Sequence, residues 1–510
     1  MSTKVRYCVG NVGHPRAAQY ALRTLLEMVV PPSCLVLGSG VDAQREDEAV
    51  VTYGMVREGM ESGVRVFDSG FFDHHYGSID AMPKRPLVRI QNTPAIYRDD
   101  RDATDRFYSF QHGAQGVTVD CHVDIVAGAF FLLSRYEETI VRTTDTFGRF
   151  PAESSVAYQE GFLQEPVVNQ YAEQLLTMLR IAGFTGERRS WWRGAPWAIA
   201  LTHDVDQQYR FPHGRPPALA VARSLAGRAS ADAPRWDRLL ADYAATATHR
   251  KKDEYDCLAE MAAWEVSVGI RASYYFLGDS SGRRGADYAT DAPGVTLQMK
   301  TVASMGHEIG FHAGFWASDD MQRFRTELTK VRSAGLPVVG GRQHYLRWKT
   351  PVTWRLWEAE GLAYDASLGF SKAAGFRCGT CLPFHPFDIE SDREMSILEW
   401  PLMFMDATYV SSWSEGTRLL DDLSQKCQRY GGVLVLLWHN RNWSSVYAPA
   451  IRECFRSLLE RCIAQGVAVS SIVGLAQLAD ATLSSQGAVL GERVESSSTV
   501  SVPGERHGKA

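Results

Sequence analysis

The strongest constraint on the fold is the run Val433-Leu434-Val435-Leu436-Leu437-Trp438, which no polar side chain interrupts before His439. A strand with one wet face alternates apolar and polar residues, whereas an unbroken apolar strand is buried on both faces, as in a parallel sheet flanked by helices. Shorter runs of the same kind lie at residues 197–201, 272–277 and 309–312, with helical stretches between them such as 319–334. Strands alternating with helices predict βα units, here a distorted (β/α) barrel over residues 190–480.

A chain of 510 residues is too long for one core, at roughly 100–200 residues per domain. The punctuated segment Trp191-Trp192-Arg193-Gly194-Ala195-Pro196-Trp197 marks a boundary. Before it, residues 1–189 read as a separate N-terminal α/β or α+β domain. There, apolar runs at 34–37 and 127–133 alternate with helical stretches at 17–30 and 166–181, and charged residues such as those around Glu137 and Glu138 read as a solvated face. Residues 213–250 read as a largely helical insertion able to cover a site, and residues 481–510 as a disordered tail.

Composition narrows the function classes. Lysine plus arginine number 54 against 59 aspartate plus glutamate, a net charge of −5, which lacks the basic excess of a nucleic-acid binder. No segment reaches the eighteen or so apolar residues of a membrane span, and the first fifteen residues lack the apolar centre of a signal peptide, so the expected location is cytoplasmic. Nine scattered cysteines read as reduced thiols. Cys378-Gly379-Thr380-Cys381 has no second Cys-x-x-Cys to complete a zinc site.

The chemistry concentrates in Thr202-His203-Asp204-Val205-Asp206, directly after an apolar strand. Period-2 alternation puts Asp204 and Asp206 on one face and His203 on the other. Two carboxylates in one pocket repel unless a cation relieves them, so a divalent metal on one, with the other left as a base, fits the pair. In His307-Glu308-Ile309-Gly310-Phe311-His312 the histidines stand five apart, not the four of zinc proteases, and Gly310 disfavours a helix. On a strand only one of them can face the aspartates, and His312, at the strand end, is the candidate. Arg342, His344 and Tyr345 follow in one string, and His439 ends the most buried strand. Imidazoles at strand ends together with Asp-x-Asp point to a metal site.

In this order the blocks resemble the polysaccharide deacetylases of carbohydrate esterase family 4, over about residues 197–479. Gly306-His307-Glu308-Ile309-Gly310-Phe311-His312 matches one family block verbatim. Thr202 to Asp206, Arg342 to Tyr345, Tyr364-Asp365-Ala366-Ser367 and Leu436-Leu437-Trp438-His439 correspond to the others. The resemblance implies that Asp204 is the general base, oriented by Arg342, and that His439 is the general acid. It makes Asp206 and His312 metal ligands, leaves His307 structural, and puts Asp365 in the pocket wall. The family's second metal histidine, four residues after the first, is replaced here by Trp316, and His344 is expected to supply the missing imidazole to a zinc or similar divalent ion. The implied reaction is removal of an N-acetyl group from a sugar or glycan. Tyr345, Trp316 and Trp438, with Trp348 and Trp413, are candidate sugar contacts, while Asp388, Glu399 and Asp406 read as surface carboxylates. The whole chain also resembles a branch of the family that carries an uncharacterised N-terminal domain. Two alternatives use the same fold: an inactive glycan-binding scaffold, and an amidohydrolase that needs no metal.

Overall fold

The computed structural model describes residues 3–38, 48–55, 62–99, 105–114, 116–211, 217–226, 236–248, 250–444 and 448–479. The expected tail and the middle of the 213–250 insertion lie outside this set. The described parts of that insertion include two helices, Ala218–Leu225 and Trp236–Ala247.

The N-terminal unit carries strands β1 (Lys4–Val9), β2 (Leu35–Leu37), β3 (Glu48–Tyr53), β4 (Gly63–Val66), a small hairpin of β5 (Val88–Ile90) and β6 (Thr93–Ala95), then β7 (Tyr108–His112) and β8 (Val117–Cys121). Among the described residues six of these make one sheet in the order β2-β1-β3-β4-β8-β7, parallel except for the antiparallel edge strand β7. Three helices cover one another beside it: Pro15–Val29, Ile125–Leu133 and Val167–Ile181. The apolar run at 127–133 belongs to the second of these. Every residue of Ile125–Leu133 is buried, and the Asp124 side chain caps the helix by accepting the Ala127 N–H.

The second sheet contains β9 (Ala198–Val205), β10 (Ser273–Leu277), β11 (Glu308–Ala313), β12 (Gly340–Gln343) and β13 (Tyr364–Asp365). After a hairpin of β14 (Phe387–Asp388) and β15 (Arg393–Glu394) it gains β16 (Leu398–Glu399), β17 (Leu402–Met405), β18 (Val433–Leu437) and β19 (Ala468–Ser470). Its order is β16-β13-β12-β11-β10-β9-β18-β17, all parallel, with β19 also on β9. Its two edges, β16 and β17, are separated in sequence only by Trp400 and Pro401. The sheet therefore curls back on itself and is bridged there by covalent chain, with no ladder between the edges among the described residues. The expected barrel is an open, distorted one.

The two units share one continuous apolar core. Charged side chains read as solvent-facing are in fact buried between them. Glu138 accepts from Arg377 at 2.8 and 2.9 Å and from Arg135 at 2.9 Å, and Arg135 also bridges to Glu137 at 2.9 Å. Burial opposes ionisation of Glu138, but the two guanidiniums win and hold it down at about 2. The N-terminal residues thus have their own sheet and helices, whose apolar core runs on into that of the second sheet.

Candidate metal centre

Parallel register gathers the site at the carboxyl ends of neighbouring strands, where open α/β sheets place their ligands. His312 on β11 pairs in register with Arg342 on β12 and with Leu277 on β10, and Leu437 on β18 pairs with Thr202 on β9. The side chains beyond these strands line a cavity of about 360 Å³, among them Asp204, Asp206, His344, Tyr345 and His439.

Asp206, just past β9, is the centre of the cluster. Its Oδ1 lies 3.3 Å from His312 Nε2 and 3.6 Å from His344 Nε2, and its Oδ2 lies 3.6 Å from His439 Nε2. Asp206, His312 and His344 each offer a ligand atom within 4.8 Å of the others. Asp206 Oδ1, His312 Nε2 and His344 Nδ1 are buried without a hydrogen-bond partner. Such orphaned polar atoms are costly, and a bound cation is what Asp206 Oδ1 and His312 Nε2 can share, with His344 Nε2 3.6 Å from that oxygen. His312 is set for this role: its Nδ1–H donates to the Arg342 carbonyl at 2.9 Å, which leaves the Nε2 lone pair facing the cluster. Burial pushes the His344 imidazole down to about 4, which keeps it neutral. Burial acts against ionised Asp206, yet the surrounding imidazoles, His344 foremost, hold it well below the usual carboxylate range. One carboxylate and two imidazoles suit zinc and leave positions open for water and substrate.

Asp204 stands on the other side of His312, with Oδ2 3.5 Å from Nε2. Its Oδ1 accepts from Arg342 Nη1 at 2.9 Å. Arg342 is fully buried and is locked by donating to Thr202 Oγ1 at 2.9 Å and to the Ala366 carbonyl at 2.7 Å. Opposite, His439 Nδ1–H donates to Asp406 Oδ1 at 2.6 Å, while Asp406 Oδ2 accepts the His439 backbone N–H and Asn442 Nδ2. Burial lowers the His439 pKa, but the Asp406 carboxylate more than offsets that and raises it above the ordinary value. Asp406 is therefore no surface carboxylate: it is fully buried behind the imidazole. It follows the apolar strand Leu402–Met405, the same strand-end position that singled out the other site residues.

His344 reaches the cluster from an unusual turn. Tyr345 and Leu346, directly after it, have φ of 60° and 52°, a left-handed conformation that side chains with a Cβ resist. The N-terminal unit braces this turn: Arg149 Nη1 donates to the Tyr345 carbonyl at 3.1 Å, and Phe147 stacks on the Tyr345 ring with centroids 5.6 Å apart.

Other residues singled out in the sequence lie outside the cluster, His203 and His307 as expected. His203 points to the opposite face, donating from Nδ1 to the Trp438 carbonyl and meeting Glu265 at 2.7 Å. His307 is structural, its Nδ1 accepting the Ala272 N–H at 3.0 Å. Trp438 is fully buried against Phe455 and Trp413, and Trp348 is buried too, so neither is a sugar contact; alternation along β18 sends Trp438 away from the face that His439 uses. Asp365 is buried beside Glu399, outside the cavity wall, and holds Ser367. Asp388 and Glu399, read as surface groups, are buried on Arg355 and on Trp354 respectively. Trp316 is half exposed on the short helix Phe315–Ala317 and does not line the cavity. Cys378 and Cys381 are buried, and burial pushes the Cys378 thiol far above its usual range. No helix among the described residues is long and apolar enough to cross a membrane.

A family described as of unknown function, DUF7033, matches residues 13–183. No curated protein matches the sequence. Among solved structures, a Mycobacterium smegmatis protein assigned to the polysaccharide deacetylases is 18% identical, covering 58% of this chain and 93% of its own, with a TM-score of 0.37. The PuuE allantoinase is 17% identical over 56% of this chain and 91% of its own, with a TM-score of 0.38. A mutant of BA3943, a pseudoenzyme of carbohydrate esterase family 4 with restored activity, is 12% identical over 56% of this chain and 68% of its own, with a TM-score of 0.26. These are likenesses in chain course alone, at identities too low to carry an activity across.

Proposed function

We propose that the chain is a divalent-metal-dependent hydrolase of carbon–nitrogen bonds that removes N-acetyl groups from a sugar or polysaccharide. The observation behind this reading is the cluster of Asp206, His312 and His344, in which Asp206 Oδ1 and His312 Nε2 face each other without a hydrogen-bond partner, flanked by a clamped carboxylate on one side and an Asp-backed imidazole on the other. Asp206, His312 and His344 would hold the ion, which when bound supplies Lewis acidity to water and to the acyl oxygen. Asp204, with Arg342 fixing its Oδ1, takes the proton of the attacking water at Oδ2. His439, kept protonated by Asp406, gives its Nε2 proton to the departing amine. Burial of Arg342 and Asp406 fixes both proton-transfer groups before substrate arrives, so little reorganisation is needed during reaction.

Metal analysis of purified protein, with turnover of N-acetylated sugars before and after chelation, tests the reading. Asp204→Asn should retain metal and lose nearly all turnover, whereas His344→Ala should lose metal. Full turnover after complete metal removal would reject the reading in favour of a metal-free amidohydrolase. Metal bound without turnover on any substrate would favour a glycan-binding scaffold.

A further inference from the structure

The wall of the same cavity carries more positive charge than the proposed chemistry uses. Arg149, Arg284, Lys372 and Arg441 all line it, and among the described residues the only carboxylates lining it are Asp204 and Asp206. Asp204 is bound by Arg342, and Asp206 faces the imidazoles of the proposed metal centre, so neither is aimed at the cations of the wall. Arg149 is likewise neutralised, by two bonds to Asp145 at 2.7 and 2.9 Å. For Arg284, Lys372 and Arg441, no carboxylate among the described residues lies within ion-pair distance. They come from three separate places: the turn Gly282–Arg284 after β10, the segment between β13 and β14, and the short helix Asn440–Trp443 after β18.

Arg284 is held in a particular way. Its guanidinium carbon sits 3.8 Å from the centre of the Phe315 ring, with Trp316 at 5.4 Å and Phe147 at 5.5 Å. Stacking on a ring uses the face of the guanidinium and leaves its N–H edge available, which is the edge that binds planar or tetrahedral oxyanions bidentately. Unpaired like charges facing one cavity repel each other, and an anion bound among them removes that cost.

We propose that Arg284, Lys372 and Arg441 form an anion subsite beside the metal centre, so that the substrate is an N-acyl sugar carrying a phosphate or carboxylate away from the scissile amide. This rests on the hydrolase reading for the amide but not for the anion. Asp206, His312 and His344 would address the acyl group while the three cations fix the far end, which sets the register of the amide against Asp204 and His439. Trp316, useless as a ligand, acquires a role here as part of the platform that holds Arg284.

Calorimetric binding to the full-length protein separates the possibilities, with N-acetylglucosamine, N-acetylglucosamine 6-phosphate and N-acetylmuramic acid as probes, each before and after chelation. One anionic probe should bind at least about ten-fold more tightly than the neutral sugar. That preference should survive chelation, weaken as salt is raised, and disappear in the combined Arg284→Met, Lys372→Met, Arg441→Met protein. Lys372→Met alone, at an exposed position, should lose part of it without any risk to folding. Preference for the phosphate or for the carboxylate assigns the anion. Equal binding of neutral and anionic probes, or a preference unchanged in the triple variant, overturns the subsite. Absence of hydrolysis with the anion preference intact would instead remove the hydrolase reading and leave the subsite standing.

Discussion

Each sheet places an aspartate with a buried carboxyl oxygen beside its strand ends, and the two aspartates are treated in opposite ways. In the N-terminal unit Asp124 accepts from the Ala127 N–H at 2.8 Å, the Ser69 N–H at 2.9 Å, Ser69 Oγ at 2.7 Å and Tyr53 Oη at 3.0 Å. Nothing is left for a ligand, and the carboxyl serves the fold as a helix cap. Asp206 in the second sheet has an oxygen without a hydrogen-bond partner, and His312 Nε2, 3.3 Å from it, is in the same condition. A saturated buried carboxyl maintains structure, whereas an unsaturated one within a cluster of Lewis bases implies a partner from outside the chain.

The sharpest way to break this contrast is to delete both carboxyls. Asp206→Ala should abolish turnover and lower metal affinity by well over the roughly 10–100-fold typical of losing an outer-sphere partner, with little change in the urea midpoint of the metal-free protein. Asp124→Ala should behave in reverse. It strands buried donors and should cost about 2–4 kcal/mol in urea unfolding, with metal stoichiometry unchanged in the protein that remains folded. If Asp206→Ala were the more destabilising of the two in the absence of metal, the distinction would fail.

Asp406 tests a carboxyl that is saturated yet serves the chemistry through His439. Asp406→Asn should retain the metal and lower kcat by about 10²-fold, the loss growing as pH rises because the imidazole gives up its proton earlier without its anionic neighbour. A pH–rate profile displaced toward acid separates this from simple misfolding.

The smallest effect concerns Glu327, whose Oε2 accepts the Gly314 N–H at 2.6 Å. Burial pushes this carboxyl up to about 7, the Gly314 N–H pulling it back and Asp279 adding to the rise. Between the ordinary glutamate value and pH 7 the folded protein keeps a proton that the unfolded chain has released. Stability should therefore fall as pH rises through that window and stay lower above it. Glu327→Gln should flatten that slope in Tm measured from pH 5 to pH 8. An unchanged slope would show that the group ionises in the fold without cost.

Much of the second sheet was legible because strands buried on both faces are written as unbroken apolar runs, and alternation then assigns Asp204 and Asp206 to one face. The same rule, carried one residue along β18, would have sent Trp438 to the helix side, away from His439. Asp406 was missed because its partner lies 33 residues away, so no local pattern joins them. Asp388, Glu399 and the Arg135–Glu138 charges were misread for a related reason. A buried ion pair looks like two surface residues in sequence, and only packing brings Arg355 or Arg377 within reach. The brace on His344 was equally invisible, since Arg149 stands 196 residues from Tyr345.

The Arg135–Glu138–Arg377 set joins the two halves that a cut at residue 190 would separate. Splitting the chain would take Arg377 away from Glu138 and expose to water the apolar core that the two halves share. Dissection at residue 190 should therefore yield insoluble or partly melted pieces, and the region that matches a family of unknown function is best studied as a wall of its neighbour's cavity.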